Sequence, residues 1–246
     1  MTSGNPTLSE KAFRSTQAYV DAQGRVMSIQ GTATKAIFLL LVVIATATAT
    51  WSMALRNPQA FMGWLIGGSV GGLVLAIVTV VKKDWAGITG PLYAAAEGIV
   101  LGGLSSLMEL AYPGIVPQAV GLTFGTFVVM LVLYKTRLIA ATPAFVRGVM
   151  AATGGVCLVY VASMVMNLFG VRIPYIHEGG AIGIGVSVVI VVIAALNLIL
   201  DFAVIEQGAK AGAPKVLEWY AAFALTVTLV WLYLEILRLL GKARER

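Results

Sequence analysis

The sequence predicts an all-α integral membrane protein, a seven-transmembrane-helix bundle formed by one membrane domain. Hydrophobic residues make up 59% of the 246 residues and charged residues only 11%, which is too apolar for a soluble globular domain. Seven apolar runs follow one another, each near the ~20 residues that a helix needs to cross a bilayer. Because these runs use nearly the whole length, no room is left for a soluble catalytic module.

Charged and turn-forming residues separate the runs and set their predicted bounds. The spans are predicted at 36–55, 61–81, 87–109, 114–134, 144–169, 180–206 and 215–240. Thr142 followed by Pro143 predicts a capped helix start with proline at the first helical position, and Pro214 is expected to play the same part for the last span. Residues 1–35 are predicted to form a cytosolic N-terminal tail, partly helical around 8–20. Residues 36–240 form the membrane domain and residues 241–246 a basic C-terminal tail.

Lysine and arginine are distributed unevenly between the two predicted sides of the membrane. With the N-terminus inside, the inner side holds Lys11, Arg14, Arg25, Lys35, Lys82, Lys83, Lys135, Arg137, Arg147, Lys210 and Lys215, and the outer loops hold Arg56 and Arg172. This bias predicts a cytoplasmic N-terminus. The net charge of +6 therefore belongs to short loops beside the membrane and does not indicate nucleic-acid binding. Four basic residues near the C-terminus oppose the bias, so the side of the C-terminus stays open.

Asp201 is the charged residue on which a functional hypothesis can be built. It lies near the end of the sixth run, and a charge at a helix centre costs ~2.5–3.5 kcal/mol on insertion scales, so such a side chain normally faces a protein interior or a water-filled cavity. Asn197 lies one turn earlier on the same helical face. At 1.5 Å per residue, Asp201 is ~9 Å, Glu97 ~15 Å and Glu218 ~6 Å from the cytosolic boundary. The three carboxylates therefore share the cytosolic half of the membrane domain.

Carboxylates held together in a low dielectric cannot all be ionised, so they share protons or bind a cation. Oxygen ligands suit Ca²⁺, and protonation would remove them, which makes Asp201 and Glu97 candidate calcium ligands in a pH-sensitive cation site. For Glu218 the alternative is a first-turn acidic residue that the helix dipole favours. Arg147 either pairs with the carboxylates or extends its side chain to the lipid headgroups.

The remaining polar residues favour structural roles over catalysis. Glu235 lies ~30 Å from the inner face with Arg238 one turn on, which predicts an outer ion pair. The single His177 falls in an outer loop, Asp201 is the only aspartate in a predicted span, and the lone Cys157 gives no cysteine metal site. We therefore expect no catalytic residues, no enzymatic activity and no bound cofactor.

Five segments carry a resemblance to a known family. In chain order they read GPLYAAAEG, YPGIV, LNLILDFAVIEQGA, APKVLEWYAAF and WLYLEILRLLG. Their order and spacing resemble the Bax inhibitor motif family of membrane proteins, in particular its bacterial YccA-like branch, over nearly all the chain after about residue 27. The resemblance implies a bundle in which helix seven is surrounded by the other six.

The resemblance also implies a function. It implies a pH-sensitive calcium leak in which an aspartate on helix six pairs with one on helix seven. Asp201 matches the first aspartate, whereas the second position falls at about Thr228, so Glu97 or Glu218 would have to substitute. The alternative that the family implies is a regulator of a membrane-anchored ATP-dependent protease, acting through residues 1–35. The expected partners are thus the lipid bilayer, calcium or other cations, and a membrane protease in the alternative.

Overall fold

The computed structural model describes residues 26–56, 58–169 and 180–245. Seven long helices lie in these ranges: α1 Ile29–Arg56, α2 Pro58–Val81, α3 Ala86–Ala111, α4 Ile115–Lys135, α5 Pro143–Leu168, α6 Ala181–Lys210 and α7 Leu217–Arg244. Each is long and apolar enough to cross a membrane. The predicted fold class, an all-α membrane protein of seven transmembrane helices, is confirmed.

Burial distinguishes the last helix from the other six. Of the most apolar part of α7, 56% is buried inside the protein, whereas the corresponding share ranges from 11% to 44% in the other helices. Large apolar side chains on the less buried helices remain exposed, among them Ile66 at 60% and Leu73 at 62%, both on α2. Exposed side chains of this kind are solvated by lipid tails, so the bilayer is their natural environment. Helix α7 is therefore the most buried of these seven helices.

Both ends of the membrane domain extend beyond their predicted bounds. Helix α1 begins at Ile29, so residues 29–35 belong to a helix and not to the N-terminal tail. Ser28 caps this helix, because its Oγ accepts the N–H of Gly31 at 2.9 Å. At the other end, α7 continues to Arg244, and Lys242 is buried and not part of a tail.

The two proline-based predictions of helix starts have different outcomes. Thr142 caps α5 as predicted, since its side chain accepts the N–H of Phe145 and Pro143 occupies the first turn. Pro214, in contrast, is not the first residue of α7, which begins three residues later at Leu217. Pro214 instead forms an isolated antiparallel bridge with Val26. The prediction failed because this bridge is a tertiary contact that no local pattern shows.

A glycine ends α6 and sets the path of the following loop. Gly212 has a φ of +64°, a left-handed conformation that glycine adopts without steric cost. The N–H of Ala213 donates to the carbonyl of Gly208 at 3.0 Å, and that of Gly212 donates to the carbonyl of Ala209 at 3.3 Å. This pair of bonds is the Schellman motif, which closes the helix and turns the chain towards α7.

The chain divides into two compact units. The first unit contains the described residues up to Leu110 together with Asp201–Val227, that is α1, α2, α3, the end of α6 and the start of α7. Glycines on α3 allow close packing here, since a Cβ on Gly102 would stand 2.8 Å from the Cα of Ala47 on α1. On the other side, Tyr93 of α3 packs edge-on against Phe223 of α7 at 4.9 Å. Helix α3 is thus held between α1 and the start of α7.

The second unit contains Ala111–Leu200 together with Thr228–Arg246. Polar side chains connect its helices. Lys242 near the end of α7 donates to Ser187 of α6 at 2.9 Å, and Arg244 donates to Gln118 of α4 at 3.0 Å. The end of α7 is therefore bonded to two other helices of this unit.

Candidate functional site

Asp201 lies on α6 in the first unit, nine residues before the helix ends at Lys210. Nine residues correspond to ~14 Å along the helix axis, somewhat deeper than the sequence predicts, because α6 continues four residues beyond its expected end. The side chain is half-buried, and its Oδ2 atom is shielded from solvent. Leu198 and Ile205, which lie one turn before and one turn after it on the same face, are buried. The aspartate therefore belongs to a face of α6 that is largely covered by protein.

Glu97 lies on α3 in the same unit and is also half-buried. Tyr93, one turn earlier, donates its hydroxyl to the Glu97 carboxylate. On α2, Gly72 faces the carboxylate so closely that a Cβ there would stand 3.1 Å from Oε1. A glycine at this position leaves space for a carboxylate between α2 and α3, which places Glu97 at a helix interface within the span.

Glu218 is the third acidic residue of the predicted ion site. It lies in the first turn of α7, only one residue after Leu217, and its side chain is 0% exposed. Its Oε2 forms an ion pair with Lys35 of α1, and its Oε1 accepts the N–H of Ser28 at 2.9 Å. Because a cation and helix-terminal donors already neutralise this carboxylate, the alternative of a first-turn acidic residue describes it better than a shared-proton site.

The side chains of Asn197 and Arg147 both donate hydrogen bonds within the second unit. The Nδ2 of Asn197 donates to Thr153 Oγ1 on α5 and to the carbonyl of Ile193, each at 2.8 Å. Arg147 is exposed, and its Nε donates to the carbonyl of Pro143 at 3.2 Å. Extension of the Arg147 side chain to the lipid headgroups and its pairing with a carboxylate both stay predictions.

An ion pair joins Glu235 and Arg238 on α7. Arg238 Nη1 lies 3.0 Å from Glu235 Oε1, and the glutamate is 2% exposed. Tyr160 of α5 donates its hydroxyl to the same carboxylate at 2.7 Å, and Trp231 donates its indole N–H at 3.3 Å. A buried carboxylate with these donors is satisfied and stabilises the contact of α5 with α7.

No group of three or more histidine, cysteine, aspartate or glutamate residues within the described ranges is arranged to hold a metal ion. A cation at Asp201 or Glu97 would therefore depend on carbonyl, hydroxyl and water oxygens for the rest of its ligands, which Ca²⁺ accepts. His177, Arg172 and residues 1–25 of the predicted N-terminal tail lie outside the described residues.

Lys35 and Tyr93 bind these carboxylates, and neither is among the predicted site residues. Lys35 was counted as a tail charge, because its apolar run was predicted to begin one residue later. Tyr93 precedes Glu97 by four residues, so the helical i, i+4 rule was sufficient to find this pair. No such rule was available for Lys35 and Glu218, which are 183 residues apart.

Comparisons with known proteins are consistent with this architecture. No curated protein and no solved structure matches the chain significantly. A protein-family model described as Bax inhibitor 1 like matches residues 5–245, which is almost the entire chain. The chain, a multi-pass membrane protein with seven candidate spans among its described residues, therefore belongs to the Bax inhibitor 1-like family.

Proposed function

We propose that the protein is a pH-sensitive cation leak, with calcium as its cargo, in the inner cell membrane with a cytoplasmic N-terminus. The observation that carries this proposal is the presence of two half-buried carboxylates, Glu97 and Asp201, inside apolar helices of one compact unit. Ionisable groups inside a span are costly, so they normally face a protein interior or a water-filled pathway.

The surroundings of Glu97 suit a cation site. The Glu97 carboxylate accepts a hydrogen bond from the Tyr93 hydroxyl, and this bond leaves the negative charge of the carboxylate in place. The charge of Glu218, in contrast, is neutralised by Lys35, so we do not include Glu218 in the proposed pathway. Glu97 and Asp201 thus provide negative charge along a route for cations.

Protons would compete with cations for these carboxylates. When a carboxylate is protonated it loses its negative charge and most of its affinity for a hard cation. Flux should therefore be high when the carboxylates are ionised and should fall as the pH is lowered through their titration range. This proton competition is the proposed gate.

The proposal is tested with purified protein in liposomes by following Ca²⁺ flux across roughly pH 5 to 8. Asp201→Asn and Glu97→Gln keep the side-chain shape and remove the titratable charge, so each is expected to lower the flux and flatten its pH dependence. Glu109→Gln is the matched control, because it alters a carboxylate at the far end of α3. If Asp201→Asn and Glu97→Gln both keep the wild-type flux and pH response, the proposed pathway is wrong.

The alternative function, regulation of a membrane-anchored ATP-dependent protease, depends on the N-terminal tail. Deleting residues 1–25 tests it, since the described structure begins at Val26. If the protein is such a regulator, the deletion abolishes its effect on the protease and leaves cation flux intact. Loss of flux with unchanged proteolysis would instead favour the leak.

A further inference from the structure

The segment Val26–Ser28, which we call the strap, lies against the loop that joins α6 to α7. Val26 forms a bridge with Pro214, and the N–H of Met27 donates to the carbonyl of Ala213 at 2.6 Å. Met27 is only 4% exposed. Its sulfur covers Gly208 near the end of α6, where an added Cβ would stand 2.9 Å away. The strap thus contacts both the end of α6 and the loop after it.

Glu218 in the first turn of α7 binds both the strap and the start of α1. Its Oε1 accepts both the N–H of Ser28 at 2.9 Å and the Ser28 hydroxyl at 3.0 Å. Its Oε2 pairs with Lys35, whose ammonium also lies 5.4 Å from the centre of the Trp219 ring. In a capping box a glutamate of the same helix reaches back to the capping residue, and here a glutamate of another helix takes that place.

A glycine makes room for this arrangement. A Cβ at Gly31 would stand 2.6 Å from Glu218 Oε2, which is far inside contact distance. The carboxylate therefore rests directly on the first turn of α1, where the N-terminal helix dipole favours negative charge. We call the contacts of Glu218 with Ser28, Gly31 and Lys35 the lock.

The lock contributes more to holding the strap than apolar burial does. Of the three strap residues only Met27 is buried, while Val26 and Ser28 are exposed. A segment with so few buried apolar contacts opens easily unless polar contacts hold it. Removing one partner of a buried ion pair is strongly destabilising, because the other charge stays buried and uncompensated. Breaking the lock should therefore release the strap.

We propose that the strap and the lock form a latch that holds the end of α6 against the start of α1 and so restrains the cation pathway. This inference rests on the proposed function, since Asp201 lies on the part of α6 that the latch holds. When the latch opens, Met27 becomes accessible, the loop at Ala213 is released, and cation flux rises.

Opening of the latch is measured by thiol labelling. Met27→Cys is introduced together with Cys157→Ser, and the detergent-solubilised protein is reacted with a maleimide. Adding Glu218→Gln, which cannot pair with Lys35, is expected to raise the labelling rate about tenfold or more. Glu206→Gln is the matched control, since it removes the more exposed ion pair with Lys210 on α6 and should leave the rate unchanged. Equal rates in the two variants would show that Glu218 does not hold the strap.

The effect on flux is measured in liposomes with native Met27. Glu218→Gln is expected to raise Ca²⁺ flux several-fold at neutral pH. A second variant carries Val26→Cys and Pro214→Cys with Cys157→Ser, so that oxidation fixes the strap to the loop. The oxidised cross-link should suppress the extra flux of Glu218→Gln, and a reductant should restore it. If the raised flux persists in the cross-linked protein, the latch does not control the pathway.

These measurements separate the latch from the pathway itself. If Asp201→Asn keeps full flux while the cross-link still regulates it, the proposed ion site is wrong and the latch stands. If no variant and no wild-type protein conducts, both the leak and its control by the latch are refuted, and the labelling rates alone decide whether Glu218 holds the strap.

Discussion

Helices α1 and α3 approach so closely that one methyl group at Gly102 should separate them. A Cβ at Gly102 would stand 2.8 Å from the Cα of Ala47, whereas carbon atoms in contact prefer about 3.5–4.0 Å. The two backbones would have to move apart by roughly 1 Å, and a gap of that size loses a quarter to a half of the attraction between atoms that were in contact. The contact between α1 and α3 would therefore weaken along its length.

The expected change in the free energy of unfolding of Gly102→Ala is the sum of two opposing effects. Overpacking of this kind costs about 1–3 kcal/mol, and replacing a helical glycine by alanine returns at most about 0.5–1 kcal/mol. Gly102→Ala should therefore lower the free energy of unfolding by up to about 2.5 kcal/mol. Gly87→Ala is the matched control on the same helix, because its Cβ would meet Trp219 of α7 at an ordinary 3.5 Å. This control should be neutral or stabilising by up to about 1 kcal/mol.

Reversible unfolding in mixed micelles, with a rising fraction of denaturing detergent and helicity followed by circular dichroism, measures the difference. Because the gain from replacing glycine by alanine is common to both variants, we expect them to differ by the overpacking cost of about 1–3 kcal/mol. If they differ by less than about 0.5 kcal/mol, or if Gly102→Ala is the more stable, then α1 and α3 are not in close backbone contact and the reasoning fails.

Two further predictions concern Glu97 and Glu235. Gly72→Val should push the Glu97 carboxylate aside and lower Ca²⁺ flux several-fold, whereas Gly71→Val, with nothing within 4 Å of its Cβ, should not; equal flux in the two variants would show that the position of Glu97 is unimportant. Tyr160→Phe removes the hydroxyl that donates to buried Glu235 at 2.7 Å and should lower the free energy of unfolding by about 1.5–3 kcal/mol. A loss below about 0.5 kcal/mol in the same micelle assay would mean that water replaces the hydroxyl.

Local patterns in the sequence were sufficient where a property belongs to one helix. The capped start of α5 at Thr142 is an example, because the capping side chain and the N–H that it accepts are three residues apart. The bounds of α1 and α7 were less accurate, because the apolar run alone does not show that Ser28 extends one helix and that Lys242 is buried in the other.

The partners of the acidic residues were harder to predict. Depth arithmetic placed Glu97, Asp201 and Glu218 in the same half of the membrane domain, but depth along a helix does not determine which way a side chain points. The structure shows that Glu218 is neutralised by Lys35 and that Glu97 contacts Tyr93 and Gly72.

By itself, the sequence determined that this chain crosses a membrane as a series of apolar helices, because an apolar run of sufficient length has few other stable states in a bilayer. It also identified the few ionisable side chains that are costly to place in a bilayer and are therefore candidates for a functional role. Only the tertiary structure decided how those charges are paired, since pairing depends on helix rotation and on glycines such as Gly31 that let a distant carboxylate approach the backbone. The difference is one of sequence range, because hydropathy acts within one segment, whereas the lock at Glu218 joins residues that are 190 positions apart.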